Sequence, residues 1–263
     1  SWPAPGALAR YLANAVLIPG QTTERLCDAA RQANIDVAIG VVELDPHTRG
    51  SVYATLLYIG REGALLDKHR KLRPSVFEQL IWAQGDGEGL EVLERPYARL
   101  SGLNCWEHVM MLPGYAIAAQ GTQVHVATWP TSAHLGAGRA NGRLLSQAFA
   151  VQAACYVISS AAVVTPDNVD DASRDWATTF ASAKSGGSCI IAPDGAIVAE
   201  APHQEETILV ADCDLNAVLE AKAYADVGGH YSRPDVFSLS VRGTSTDPVH
   251  DNIIQPTGDY DSA

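Results

Sequence analysis

The chain has 263 residues, 47% of them hydrophobic, and a formal net charge of −12, enough for one large core or two small ones. The acidic balance argues against a nucleic-acid partner, which needs a basic face to displace counterions, and against docking on an anionic membrane. No apolar run approaches the roughly 18 residues of a membrane span, and the opening SWPAPGALARY lacks the basic-then-apolar pattern of a signal peptide. Cys27, Cys105, Cys155, Cys189 and Cys213 are odd in number and widely spaced, with no C-x-x-C. Neither a disulfide framework nor a zinc site is suggested, and a reducing, cytoplasmic compartment fits.

Residues 23–33 place Leu26, Ala29, Ala30 and Ala33 on one face of a helix. The β-branched run 35–43 reads as a strand buried on both faces. Residues 51–60 and 63–69 read as a hairpin, and 89–94 and 99–105 as further strands. Residues 114–120 are helical in composition, with Pro113 suited to the first turn. A strand follows at 122–130, ending at Pro130, then a helix at 142–154 and a buried strand at 155–164. Residues 188–201 form a hairpin around Pro193-Asp194-Gly195, 207–215 a strand and 216–225 a helix. Helices and strands alternate with hairpins mixed in, which predicts one compact α/β domain with mixed sheets and helices outside. The polar stretch after Ser240 is expected to be a mobile or partner-binding tail.

A lone cysteine is usually a buried small hydrophobe, and that reading suits Cys27, Cys155, Cys189 and Cys213. Cys105 differs, because it ends an apolar strand and is followed by Trp106, Glu107 and His108. A strand-to-helix turn presents such a side chain at the sheet edge, where helix N–H groups and a nearby cation stabilise a thiolate. Lys68, His69, Arg70 and Lys71 crowd between two apolar runs. A solvated basic edge explains them, but a lysine reaching a thiol site would also stabilise the anion formed on attack. Glu78, seven residues after Lys71, is placed to orient its ammonium. GAGRANG (136–142) has the wrong spacing for a phosphate loop and reads as a plain loop. His108 and His125 are too scattered for a metal site, and G-x-S-x-G is absent.

Together these stretches resemble the nitrilase family, the carbon–nitrogen hydrolases. KHRKLRPSVFEQLIWAQGDG (68–87) is similar to the family's lysine motif. GLNCWEHVMMLPGYAIAAQGTQVHVATWP (102–130) is similar to its nucleophile motif, with CWEH as in the nitrile-hydrolysing branch, and DVGGHYSRPDVFSL (226–239) resembles a segment of that branch. The resemblance covers residues 1–241, with 242–263 left as a polar tail. It implies a four-layer α-β-β-α sandwich, subunits that pair sheet-to-sheet and extend into spirals, and no cofactor. It implies Cys105 as nucleophile, Lys71 as charge stabiliser and Glu78 as a supporting glutamate. The N–H of Trp106 complements Lys71, and Trp129 and Pro130 wall the substrate pocket. The implied reaction takes a small nitrile through a thioimidate and a thioester to the acid and ammonia. Cyanide hydrolysis and amide release are close variants.

The sequence departs from the family pattern in two places. Where the family has Pro-Leu-x-Arg after the nucleophile turn, this chain has Met111-Leu112-Pro113-Gly114. Proline inside a helix costs roughly 3 kcal/mol, so the helix is expected to start at Pro113. Family members also open with a strand–helix–strand unit ending in Phe-Pro-Glu, whose glutamate is the general base. This chain starts after that point, and none of Glu24, Glu43 or Glu62 sits in the matching context. The chain is therefore expected to lack that unit and to be inactive or nearly so. A catalytically dead assembly module is the competing reading.

Overall fold

The computed structural model describes residues 6–130, 138–165, 167–168, 185–202 and 204–243. Two sheets lie face to face. The smaller is antiparallel, in the order β1 (Val37–Leu44), β2 (Val52–Ile59), β3 (Leu65–Arg70). The larger follows chain order: β4 (Leu93–Glu94), β5 (Arg99–Asn104), β6 (Val124–Trp129), β7 (Tyr156–Ala161), β8 (Cys189–Ile191), β9 (Ile197–Glu200). Its centre, β5-β6-β7, is parallel. The outer pairings are antiparallel.

Helices cover the outer faces. Helix α2 (Gln21–Ala33), preceded by the short α1 (Ala7–Ala13), packs Leu26, Cys27 and Ala30 against Leu57 and Ile59 of β2. Helices α3 (Met111–Ala119) and α4 (Gly138–Ala153) cover the larger sheet, with Ile117, Ala118, Phe149, Ala150 and Ala153 clustered against Leu103, Ala127 and Val157. A last helix, α5, spans Leu215–Tyr224. The layers run α-β-β-α, as the resemblance implied.

The inner faces touch where β2 crosses β5. Gly102 supplies the close approach: a Cβ there would overlap Leu56 and sit 2.7 Å from the Tyr58 hydroxyl. Away from that contact the sheets diverge around an apolar cavity of ≈ 690 Å³, lined by Ala38, Tyr58, Leu100, Val124, Val126 and Ile158 among others.

Several expectations are corrected. Strand β1 is half-exposed over Val37–Val42 rather than buried on both faces. It is an edge strand, and among the described residues its outer edge is met only by Val16, bonded to Val42 and Leu44. In the stretch 89–94 only Leu93–Glu94 pairs. Residues 207–213 are not a strand, and Ile208 and Val210 stand exposed; a β-prone run forms no ladder without a partner. Helix α3 starts at Met111, two residues before Pro113. Its first-turn N–H groups have no helical partner anyway, so a proline there loses no bond. Residues 138–142 of the GAGRANG stretch are helical, opening α4 instead of forming a loop; positions 136 and 137 lie outside the described residues. The segment 226–239 folds as turns, with Tyr231 and Phe237 exposed. Beyond Gly243 the expected tail also lies outside the described residues. No described helix is long and apolar enough to cross a membrane.

Candidate active site

Lys71 and Cys105 occupy equivalent places on facing sheets. Each stands one residue past the end of its strand, Lys71 after Arg70 of β3 and Cys105 after Asn104 of β5. Cys105 is buried and starts a 3₁₀ helix, Cys105–Val109, with φ +56°. That left-handed conformation is uncommon for a residue with a Cβ and tends to persist where surroundings enforce it. Lys71 is 2% exposed. Its N–H bonds the Ala54 carbonyl at 2.8 Å, extending the β2–β3 pairing by one residue.

Glu78 lies on a second 3₁₀ helix, Val76–Leu80. Its Oε2 accepts from the Lys71 ammonium at 2.5 Å and from the Ser75 N–H at 2.5 Å. The second bond is half of a Ser-x-x-Glu capping box, a signal in the sequence that the motif reading passed over. The Lys71 Nζ also sits 5.9 Å from the centre of the Trp82 ring.

Cys105, Lys71 and Glu78 line one open cavity of ≈ 270 Å³ between the sheets. Trp129 and Pro130 form part of its wall. Gly40, Thr55 and Trp82 also line it, and sequence reasoning missed Val41, Val42, Ala54, Asn104 and Thr128. The signal for the last two was available, since both adjoin quoted motif residues at strand ends. Among the described residues Glu78 is the only carboxylate in this lining. Glu43, though near in the fold, lies buried and engaged by Thr55, Lys68 and Arg70.

Burial pushes the Cys105 thiol up to about 11. Lys71 and the Trp106 N–H, which bonds the sulfur, act against that rise, and the carboxylates of Glu78 and Glu107 add to it. At neutral pH the sulfur therefore needs a base before it can attack.

Behind the Cys105 turn runs a buried polar chain. The Cys105 carbonyl only accepts, so His108 donates to it from Nδ1, at 2.8 Å. Burial holds His108 down at about 4, leaving its Nε2 as an acceptor. Nε2 of His125 therefore donates to it, at 3.1 Å, and Nδ1 of His125 accepts from the Ser101 hydroxyl at 2.8 Å. Ser101 in turn meets Thr122 at 2.7 Å. The two histidines look scattered in sequence, yet β6 brings them into contact. Among the described residues no group of three His, Cys, Asp or Glu side chains is placed to hold a metal.

The model of the family described as carbon-nitrogen hydrolase matches residues 3–223. The chain belongs to that family. Of its carbon–nitrogen hydrolase relatives, one named nitrilase 2, from an unknown prokaryotic organism, is 51% identical over 238 residues, covering 89% of this chain and 72% of the relative. An aliphatic nitrilase of Rhodococcus rhodochrous is 38% identical over 248 residues, covering 92% of this chain and 67% of the relative. The crystal structure of Saccharomyces cerevisiae Nit3, a member of branch 10 of the nitrilase superfamily, superposes with a TM-score of 0.69 at 20% identity, covering 88% of this chain and 80% of that one. That likeness concerns the fold. The chain is a hydrolase of carbon–nitrogen bonds built on the nitrilase sandwich.

Proposed function

We propose that this hydrolase converts a small nitrile to the carboxylic acid and ammonia, with Cys105 as nucleophile. The observation that carries the reading is the convergence of Cys105, Lys71 and Glu78 on one cavity between the sheets. The names of the nitrilase relatives agree with it. The volume is at the small end for ligand pockets, and Val41, Val42, Ala54, Trp129 and Pro130 offer apolar surface to the hydrocarbon part of R–C≡N.

A base takes the thiol proton, and sulfur bonds the nitrile carbon while one C–N π bond moves its electrons onto nitrogen. The Lys71 ammonium and the Trp106 N–H stabilise that charge, and protonation gives the thioimidate. Water adds to the same carbon, ammonia leaves and a thioester remains. A second water cleaves the C–S bond, releasing the acid and restoring the thiol. Glu78 orients Lys71 through their 2.5 Å bond. The family resemblance assigns the base to the glutamate of a Phe-Pro-Glu segment.

The chain is further read as self-associating, as its family commonly does. The exposed apolar side chains such pairing would cover include Met111, Leu112, Tyr115, Leu144 and Val151 on α3 and α4. All five cysteines are free, which suits a cytoplasmic setting. The test is ammonia, acid and amide release from aliphatic and aryl nitriles, compared with Cys105→Ala in a chain that turns over. The variant should fold and lose hydrolysis, whereas Cys27→Ala should lose little; turnover retained by Cys105→Ala sinks the assignment.

A further inference from the structure

We propose that Glu107 is a positioning residue that sets Lys71 against Cys105. The proposal rests on the reading of the site given above. Glu107 does not line the cavity and its side chain is fully buried. Its Oε2 accepts from the Asn104 N–H at 2.7 Å, and its Oε1 from the Leu72 N–H at 2.8 Å. Nε2 of His69 lies 3.0 Å from both oxygens, and because a carboxylate only accepts, that nitrogen donates.

These donors bracket the two reacting residues. Asn104 immediately precedes Cys105, and His69 and Leu72 lie on either side of Lys71 along the chain. Both reacting residues stand just past the end of their own strands, Lys71 keeping one further backbone bond to Ala54. One carboxylate therefore ties the two strand extensions, one from each sheet, to a single point. Burial disfavours the ionised form of Glu107, but His69 and the two backbone N–H groups outweigh it and hold the carboxyl below its usual range. A glutamine in its place would turn an NH₂ toward one of those donors, opening one side of the junction.

Alkylation of Cys105 by iodoacetamide tests this, followed by the mass of the Cys105 peptide as a function of pH. The groups facing the sulfur are Lys71, Glu78, Glu107 and the Trp106 N–H. The sign separates two roles for Glu107. As a bare negative charge beside the thiol, its loss would favour the thiolate and speed alkylation. As a positioning residue, its loss weakens the hold of Lys71 on the sulfur and slows alkylation, by roughly tenfold at a fixed pH below the thiol's own pKa. Lys71→Met should slow it comparably, and the double variant should be no slower than the slower single one, because both act through one contact.

Alkylation of Glu107→Gln at the parent rate or faster, with only a lower melting temperature, overturns the proposal. If Lys71→Met alkylates like the parent, the reading of the site falls and this inference with it. A slow Lys71→Met beside a fast Glu107→Gln overturns the inference alone. Should Glu107→Gln fail to fold, His69→Phe removes one donor and leaves the carboxylate. A smaller slowing is then expected, and the parent rate overturns the proposal.

Discussion

The Nζ of Lys71 lies 2.5 Å from Oε2 of Glu78, and the lysine is almost wholly buried while the glutamate side chain remains 24% exposed. Removing one partner of a buried pair leaves the other uncompensated, so the two are expected to fail together. Lys71→Met keeps the apolar stem and loses the charge. It should lower kcat by on the order of 10²–10³, with KM changed much less, since the stabilised charge exists only along the reaction path. Steady-state kinetics on a simple nitrile checks this, and a parent-like kcat would return Lys71 to the role of a packing residue.

Residues 1–263 expressed by themselves are predicted to hydrolyse nitriles slowly or not at all. With the thiol pushed up to about 11, attack requires a positioned base, typically worth about 10²–10⁴-fold. Glu78, the only carboxylate of the described cavity wall, already holds Lys71 and the Ser75 N–H. Ammonia release should rise when a family-like opening segment ending in Phe-Pro-Glu is joined to the chain. Equal rates with and without it would make Glu78 the base.

The histidine chain behind Cys105 predicts an acid limb of stability. Burial lowers His108 from 6.5 to about 4 and His125 well below 6.5. Between those values the unfolded chain binds protons that the folded chain refuses. Stability therefore falls as pH drops from about 6.5 toward about 4. Urea midpoints across that window should show the slope, and His125→Gln should reduce it. A midpoint independent of pH there would contradict the buried neutral pair.

Gly102→Ala should destabilise the fold by about 1–3 kcal/mol, in the range of overpacked cores. Its new methyl would overlap Leu56 and press on the Tyr58 hydroxyl and the Val126 carbonyl, on both sheets at once. Chemical denaturation measures the loss; an unchanged midpoint would mean that the sheets separate freely at this point.

Much of this was legible in the residues because local pattern and tertiary setting agree. The hairpin of β2 and β3, the parallel strands β5 and β6, and the amphipathic α2 follow from alternation, apolar runs and helical spacing. The convergence of Cys105, Lys71 and Glu78 was legible only through family motifs, because no local rule brings residues 71 and 105 together. Glu107 went unread for the same reason: two of its donors lie 35 and 38 positions away. Its local half was visible as Asn-x-x-Glu at the start of a helical turn. Residues 207–213 form no strand because strand propensity describes a surface suited to pairing, and a partner is a property of the fold.

The cavity at Cys105 takes one wall from each sheet. A molecule seated there acts as a rivet between the two halves of the sandwich, with Val42 and Ala54 on one side and Asn104 and Thr128 on the other. Occupancy thus couples to cohesion: a ligand that binds only the folded seam raises the melting point, by an amount that grows with the logarithm of its concentration over its dissociation constant. A covalent adduct on Cys105 extends that bracing beyond the residence time of any reversible ligand. Heat resistance becomes a readout of what fits the seam, and compounds can be ranked without measuring turnover.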